Sequence, residues 1–196
     1  PMACVGDVVP GYEMAGASAC SVLTDTRFFG GSLTDLAVAR EVAAVPLLRK
    51  DFIVDEYQIY EARLWGADAI LLIAALLSPA EVEEYAGLAH SLGLEVLLEL
   101  HDEAELGHVC RGIDMVGVNN RDLTTFNTDI GCSASMIDAL QDVDAVKVAE
   151  SGILHPCDIV RLRGVGYDGF LVGEAFMKTA CPGSELLKFV NYESGR

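Results

Sequence analysis

Val96-Leu97-Leu98-Glu99 is an apolar run closed by a carboxylate, and the chain repeats the device. Leu47-Leu48-Arg49-Lys50, Met115-Val116-Gly117-Val118-Asn119, Val146-Lys147-Val148-Ala149-Glu150-Ser151-Gly152 and Phe170-Leu171-Val172-Gly173 are built the same way, each ending in polar residues or glycine. Near-continuous apolar runs belong to strands buried on both faces, as in parallel sheets. Polar termini that recur on one side mean that the strands aim side chains at a common point, which is how a barrel enzyme assembles its site.

Outward from these runs the pattern alternates. Strand-like segments lie near 19–23, 45–50, 68–74, 94–100, 114–119, 145–150 and 168–173, and segments of helical spacing at 32–43, 55–65, 79–92, 102–110, 132–140, 155–163 and 182–190. Ser32, Ser78-Pro79 and Asp102 stand where helices start, and Gly66, Gly93 and Gly166 where they stop. Segment 7–16 reads as the end of a first helix weakened by Pro10 and Gly11, and Met2–Val5 offers at most four residues for a strand before it. This spacing predicts an α/β fold, a TIM (β/α)8-type barrel with about seven βα units evident, in one domain over residues 1–196.

The bulk composition narrows the function. A chain of 196 residues with 52% hydrophobic content can bury a full core. Thirty acidic against thirteen basic residues give a formal charge of −17, which opposes nucleic acid and anionic membranes. The longest apolar run, Ala67–Leu77, is interrupted by Asp68 and closed by Ser78-Pro79, short of the roughly 20 residues of a membrane span. Six cysteines without CxxC spacing read as free thiols of a reducing, cytoplasmic setting. Histidines 90, 101, 108 and 155 form no HxxxH or HxH pair, so no metal site is expected. No secretory signal opens the chain, and a start at Pro1 reads as a processed or shortened form.

The strand ends carry the chemistry. If Lys50 faces the lumen, Leu48 and Phe52 share its face and Arg49 points away, so an ammonium joins an apolar wall; read alone, a lysine there is more often a solvated strand-end residue, and its company at the other strand ends shifts the reading toward the pocket. A carboxylate at Glu99 is costly in that run unless it is solvated or paired, and it suits either a strand-end ion pair or a proton-passing group with a raised pKa. Asn119 can donate and accept, which fits it to orient a hydroxyl or carboxyl group. Asn120 can cap a loop, and Arg121-Asp122 fits an internal ion pair as well as a ligand contact. Glu150-Ser151-Gly152 and Gly173-Glu174 close the last two strands, where barrel enzymes often bind phosphate through backbone N–H groups. The Glu174 amide can serve there while its carboxylate points to solvent.

Together these pieces resemble the indole-3-glycerol phosphate synthase family of tryptophan biosynthesis. The resemblance is carried by Ser21-Val22-Leu23-Thr24-Asp25, Phe28-Phe29-Gly30-Gly31-Ser32, Leu48-Arg49-Lys50-Asp51-Phe52, Gly66-Ala67-Asp68-Ala69, Glu99-Leu100-His101-Asp102-Glu103, Gly117-Val118-Asn119-Asn120-Arg121-Asp122-Leu123, Ala149-Glu150-Ser151-Gly152 and Leu171-Val172-Gly173-Glu174, in the family's order. It implies a lyase that closes the ring of 1-(2-carboxyphenylamino)-1-deoxyribulose 5-phosphate with loss of carbon dioxide and water, using no cofactor. By the same resemblance Lys50 is the general acid at the carbonyl and Glu99 the acid-base group of the dehydration. Leu48, Phe52, Asn119, Arg121 and Glu150 bind the substrate, and Ser151, Gly152, Gly173 and Glu174 hold its phosphate.

The partner expected is this small phosphorylated molecule alone, and the family is monomeric. One departure stands out. The family's first strand carries Glu-x-Lys and then Ser-Pro-Ser behind an N-terminal extension, neither of which appears in these residues. The departure implies weak turnover for this chain and neighbouring strand edges open to dimerisation. It also raises an alternative, a truncated or degenerate barrel that keeps the fold and phosphate binding with little catalysis. A third reading, another phosphate-binding barrel isomerase of the pathway, requires a different acid-base pair and no Arg-Lys-Asp-Phe run.

Overall fold

The computed structural model describes residues 4–121 and 128–193. Seven parallel strands form one sheet in chain order: β1 (Cys20–Leu23), β2 (Leu47–Lys50), β3 (Ala69–Ile73), β4 (Glu95–Leu100), β5 (Met115–Asn119), β6 (Val146–Glu150) and β7 (Gly169–Leu171). Between and around them run α1 (Val5–Met14), α2 (Leu33–Val42), α3 (Tyr57–Leu64), α4 (Pro79–Ser91), α5 (Gly131–Met136), α6 (Pro156–Val165), α7 (Glu174–Met177) and α8 (Pro182–Glu193). Every strand follows its predecessor on the same side, as repeated βα units require. The strands fall within the expected segments, and the helices differ in detail. Residues 103–108 wind as a 3-10 helix, α5 passes into a 3-10 turn over 137–140, and α7 was not expected. Residues 1–3 and Asp122 lie outside the described residues, and Val5 belongs to α1.

Local chemistry explains the helix starts. Ser32 Oγ accepts the amide of Asp35, Asp102 Oδ1 that of Ala104, and Ser78 and Glu81 cap each other reciprocally ahead of Pro79. Helix α1 tolerates Pro10 and Gly11 because Gly11 lies against Gly183 of α8: a Cβ on Gly183 would stand 2.6 Å from the Gly11 carbonyl oxygen. The two helix backbones approach where no side chain intervenes.

The period-2 alternation of the strands sorts their residues into two cores. Leu47, Ile70, Leu72, Val96, Leu98, Leu100, Val116, Val118 and Ala149 face the helices in the larger core. Leu48, Ala69, Leu71, Ile73, Leu97 and Val148 form a second, inner core with Phe52, Met115 and Leu171. The sheet curls around this inner core. Lys50 Nζ of β2 lies 3.0 Å from Glu150 Oε2 of β6, although the two strands are four steps apart in the sheet. In a flat sheet that separation would be about 19 Å.

On the helix side of β2, Arg49 is buried in a charge network. Its guanidinium donates to Asp51 Oδ2 at 2.9 Å and to Thr24 Oγ1 at 3.2 Å, reaches the Gln58 carbonyl, and approaches Glu61 at 3.5 Å. The network ties β1, β2 and α3 together just outside the inner core. Among the described residues no helix is long and apolar enough to cross a membrane.

Removing one partner from such a network leaves a buried charge uncompensated. Arg49→Met should therefore lower the free energy of unfolding by about 3–5 kcal/mol, read by urea denaturation. A loss within about 0.5 kcal/mol, the scale of an ordinary surface change, would show that the network contributes nothing.

Candidate functional site

The inner faces of β2, β4, β5 and β6 converge at their C-terminal ends. Lys50 Nζ sits between two carboxylates, 3.2 Å from Glu99 Oε2 and 3.0 Å from Glu150 Oε2. Glu99 Oε1 also accepts the side-chain amide of Asn119 at 2.9 Å, and Asn119 Oδ1 accepts the backbone N–H of Arg121 at 3.0 Å. Lys50, Glu99, Asn119 and Glu150 thus form one connected cluster. Leu48 and Phe52 stand beside Lys50 on the inner face, as the alternation requires.

The two carboxylates are buried and inequivalent. Burial is the largest single influence on Glu99 and pushes its pKa up, but His101, Lys50 and Asn119 together outweigh it and hold the group down at about 2. Burial also pushes Glu150 up; Lys50 counters this in part, the charge of Glu99 adds to it, and Glu150 rests at about 7. Burial likewise opposes the charge on Lys50, yet the two carboxylates overcome it and raise its pKa above the ordinary lysine value. The raised carboxyl expected at Glu99 is therefore found at Glu150. Glu99 has donors on both oxygens, whereas Glu150 has Lys50 on Oε2 and, among the described residues, no hydrogen-bond partner on Oε1.

The bare oxygen has a cause in the neighbouring strand. Gly117 stands diagonal to Glu150 on the inner face, and a Cβ there would lie 2.1 Å from Glu150 Oε1. The missing side chain makes the space that the carboxyl occupies. Gly117 is a site residue that the strand pattern conceals, because a glycine inside a strand reads only as weak packing. Two more were overlooked: His101 Nε2, 3.2 Å from Glu99 Oε1, and Phe29, whose ring stacks on Phe52 at 5.2 Å. Phe28 meets Phe52 edge-on at 5.6 Å, so three aromatic rings border the mouth beside Lys50. The adjacent Phe28-Phe29 pair, exposed before two glycines, was the available signal.

The ends of β6 and β7 hold the remaining candidates. Ser151 and Gly152 both adopt positive φ, 62° and 72°, and a Cβ on Gly152 would come 2.5 Å from the Thr128 side chain. A serine in the left-handed region is strained and persists where its surroundings enforce it. The buried side chain of Asn120 does so by donating to the carbonyls of Glu150 and Ser151 at 2.9 and 3.1 Å and accepting the Ser133 amide at 2.9 Å. Gly173 precedes α7 with open space where a side chain would stand. The Arg121 guanidinium donates to the Glu174 carboxylate at 3.0 Å, and Lys178 binds the other oxygen at 2.6 Å. The Glu174 carboxylate is thus held by two cations at the protein surface.

The Glu150 shift sets a sign for pH dependence. Its pKa is raised above the ordinary carboxyl value of 4.5 in the folded state, so the folded protein holds more protons than the unfolded chain between about pH 4.5 and 7. Its contribution to stability is present below that window and is lost as pH rises through it. Urea denaturation at pH 5 and pH 8 should show Glu150→Gln gaining stability relative to the unaltered protein at the higher pH. Parallel curves for the two proteins would refute a raised Glu150.

Comparison with known proteins identifies the family. A protein from Bacteroides thetaiotaomicron named indole-3-glycerol phosphate synthase is 54% identical over 184 residues, covering 94% of this chain and 70% of that protein. One of the same name from Azoarcus sp. is 50% identical over 182 residues, covering 92% and 69%. The crystal structure of a 3-hexulose-6-phosphate synthase superimposes with a TM-score of 0.72 at 12% identity, over 95% of this chain and 93% of that one, a likeness of fold alone. The family model for indole-3-glycerol phosphate synthase matches residues 3–186, and with these identities it places the chain in the indole-3-glycerol phosphate synthase family.

Proposed function

We propose that this chain closes the ring of 1-(2-carboxyphenylamino)-1-deoxyribulose 5-phosphate, releasing carbon dioxide and water and using no cofactor. The observation that carries the reading is the half-buried Lys50 ammonium, held between Glu99 and Glu150 and bordered by Leu48 and Phe52. Ring closure joins an aromatic carbon to a ketone carbon, and the ketone oxygen needs a proton as the bond forms. Lys50 supplies it as general acid. Loss of carbon dioxide then restores the aromatic ring and leaves a hydroxyl where the ketone stood. Dehydration requires one more proton on that hydroxyl and removal of a proton from the adjacent carbon. Glu99, ionised and held by Asn119, is the acid-base group of this step.

Electrostatics supports the binding of an anionic substrate. Below about pH 7, where Glu150 carries a proton, Lys50 and Glu99 form a balanced pair, so these three groups present no excess negative charge to the substrate's carboxylate. Glu150 and Asn119 position the reacting end, and Phe52 with Leu48 packs on the aromatic ring. The phosphate belongs at Ser151, Gly152, Gly173 and the amide of Glu174, through backbone N–H groups in the turns that follow β6 and β7. Arg121 and Lys178 neutralise the Glu174 carboxylate, so its charge does not oppose a phosphate there. The partner is this phosphorylated small molecule, bound by a single barrel domain.

A fluorescence assay for indole-3-glycerol phosphate tests the proposal. Turnover should fall by roughly 10²-fold or more in Lys50→Met, the scale for loss of a positioned proton donor. Near-normal indole formation by that variant would remove Lys50 from the acid role, and no turnover by the unaltered chain at any substrate concentration would remove the activity.

A further inference from the structure

His101 is the first residue after β4, and its surroundings leave it little choice. Its backbone N–H donates to Glu105 Oε2 at 2.6 Å, and its carbonyl accepts the thiol of Cys132 at 3.4 Å, which fixes the main chain on two sides. The ring then lies between two carboxylates. Nε2 is 3.2 Å from Glu99 Oε1 and Nδ1 is 3.6 Å from Glu105 Oε2, with the side chain only 14% exposed. Both ring nitrogens are buried and neither has a hydrogen-bond partner among the described residues, so the carboxylate contacts are electrostatic. A neutral imidazole would leave one bare nitrogen beside a carboxylate, whereas an imidazolium sets a positive charge between the two.

The consequence lies one residue pair further in. Lys50 touches both Glu99 and Glu150, so the ammonium alone does not choose between them. Asn119 adds a neutral donor to Glu99, and His101 adds a second cation on the same oxygen. Among the described residues nothing comparable reaches Glu150, whose unpartnered oxygen faces Gly117. We propose that His101 is a positioning residue which decides, through its contact with Glu99, that the proton shared around Lys50 resides on Glu150.

The groups that bear on the ring are few and come from each packed element. Glu99 approaches from β4 and Glu105 from the 3-10 helix that follows it, Lys50 and Glu150 act through Glu99, and Cys132 of α5 has Asp102 and Asp129 beside its thiol. With Glu150 neutral, Lys50 and His101 balance Glu99 and Glu105. Burial disfavours a charged His101, but the two carboxylates outweigh it and raise its pKa. The role rests on the ring-closure reading, because Glu99 is the acid-base group there.

The test reads the proton directly in the unliganded protein. With glutamate carboxyl carbons labelled with carbon-13, and the Glu99 and Glu150 signals assigned through Glu99→Gln and Glu150→Gln, NMR titration of His101→Phe should show the Glu99 midpoint moving up and the Glu150 midpoint moving down. In the fluorescence assay kcat should fall by roughly tenfold with KM little changed, as for an interaction that acts in the chemical step rather than in binding. Unmoved midpoints in a His101→Phe protein with unaltered circular dichroism would overturn the proposal. If that variant does not fold, Glu105→Gln keeps the ring and removes one of its carboxylates, and the Glu99 midpoint should again rise; a midpoint that stays put overturns the proposal equally. The titration needs no substrate, so absent turnover in the unaltered protein would dismiss the ring-closure reading while the midpoints still judge His101.

Discussion

One ammonium shared by two carboxylates governs the inner side of this fold. Lys50 reaches Glu99 and Glu150 from a strand that is two steps from one and four from the other, which only a curled sheet allows. The curl in turn requires an inner core of small and medium apolar side chains, supplied below the cluster by Ala69, Leu71, Leu97 and Val148. Buried charges persist only when paired, so shape and charge depend on each other here. If the sheet opened, Lys50 would lose its carboxylates; if Lys50 were removed, two carboxyl groups would face each other without a cation.

The fold was largely legible because period-2 alternation and cap chemistry are local. Leu47 and Leu48 separate onto opposite faces by adjacency alone, and Ser78-Pro79 announces α4 before any contact is known. The site was legible as far as residue type: a lysine, two glutamates and an asparagine at strand ends have few other uses. Which carboxylate carries the proton was not readable. That difference depends on a glycine one strand away and on a histidine just past a strand end, and neither appears in the periodicity of the strand it serves. The 3-10 winding at 103–108 escaped for a related reason. Glu105 is drawn back to the amide and ring of His101, a demand of the site rather than of helix propensity.

Inequivalence between chemically identical groups is a way to obtain an acid and a base at one pH. Here the environments differ in donor count: Glu99 has donors on both oxygens and Glu150 on one. The same economy of donors marks the ends of β6 and β7, where Asn120 spends its whole amide on the turn that carries Ser151 and Gly152. The turn is shaped from behind, which leaves its outer face for a ligand.

Arg49 and Lys50 are neighbours in sequence but belong to different circuits. The arginine is neutralised on the helix side by Asp51 and Glu61, and the lysine on the inner side by Glu99 and Glu150. The sheet therefore works as an insulating partition with its charge accounts settled separately on each side. Such a separation gives the chain room to change its chemistry: the inner residues can be replaced to suit a new ligand while the helix-side circuit continues to hold the scaffold, so that evolvability and foldability are assigned to alternate residues of the same strand.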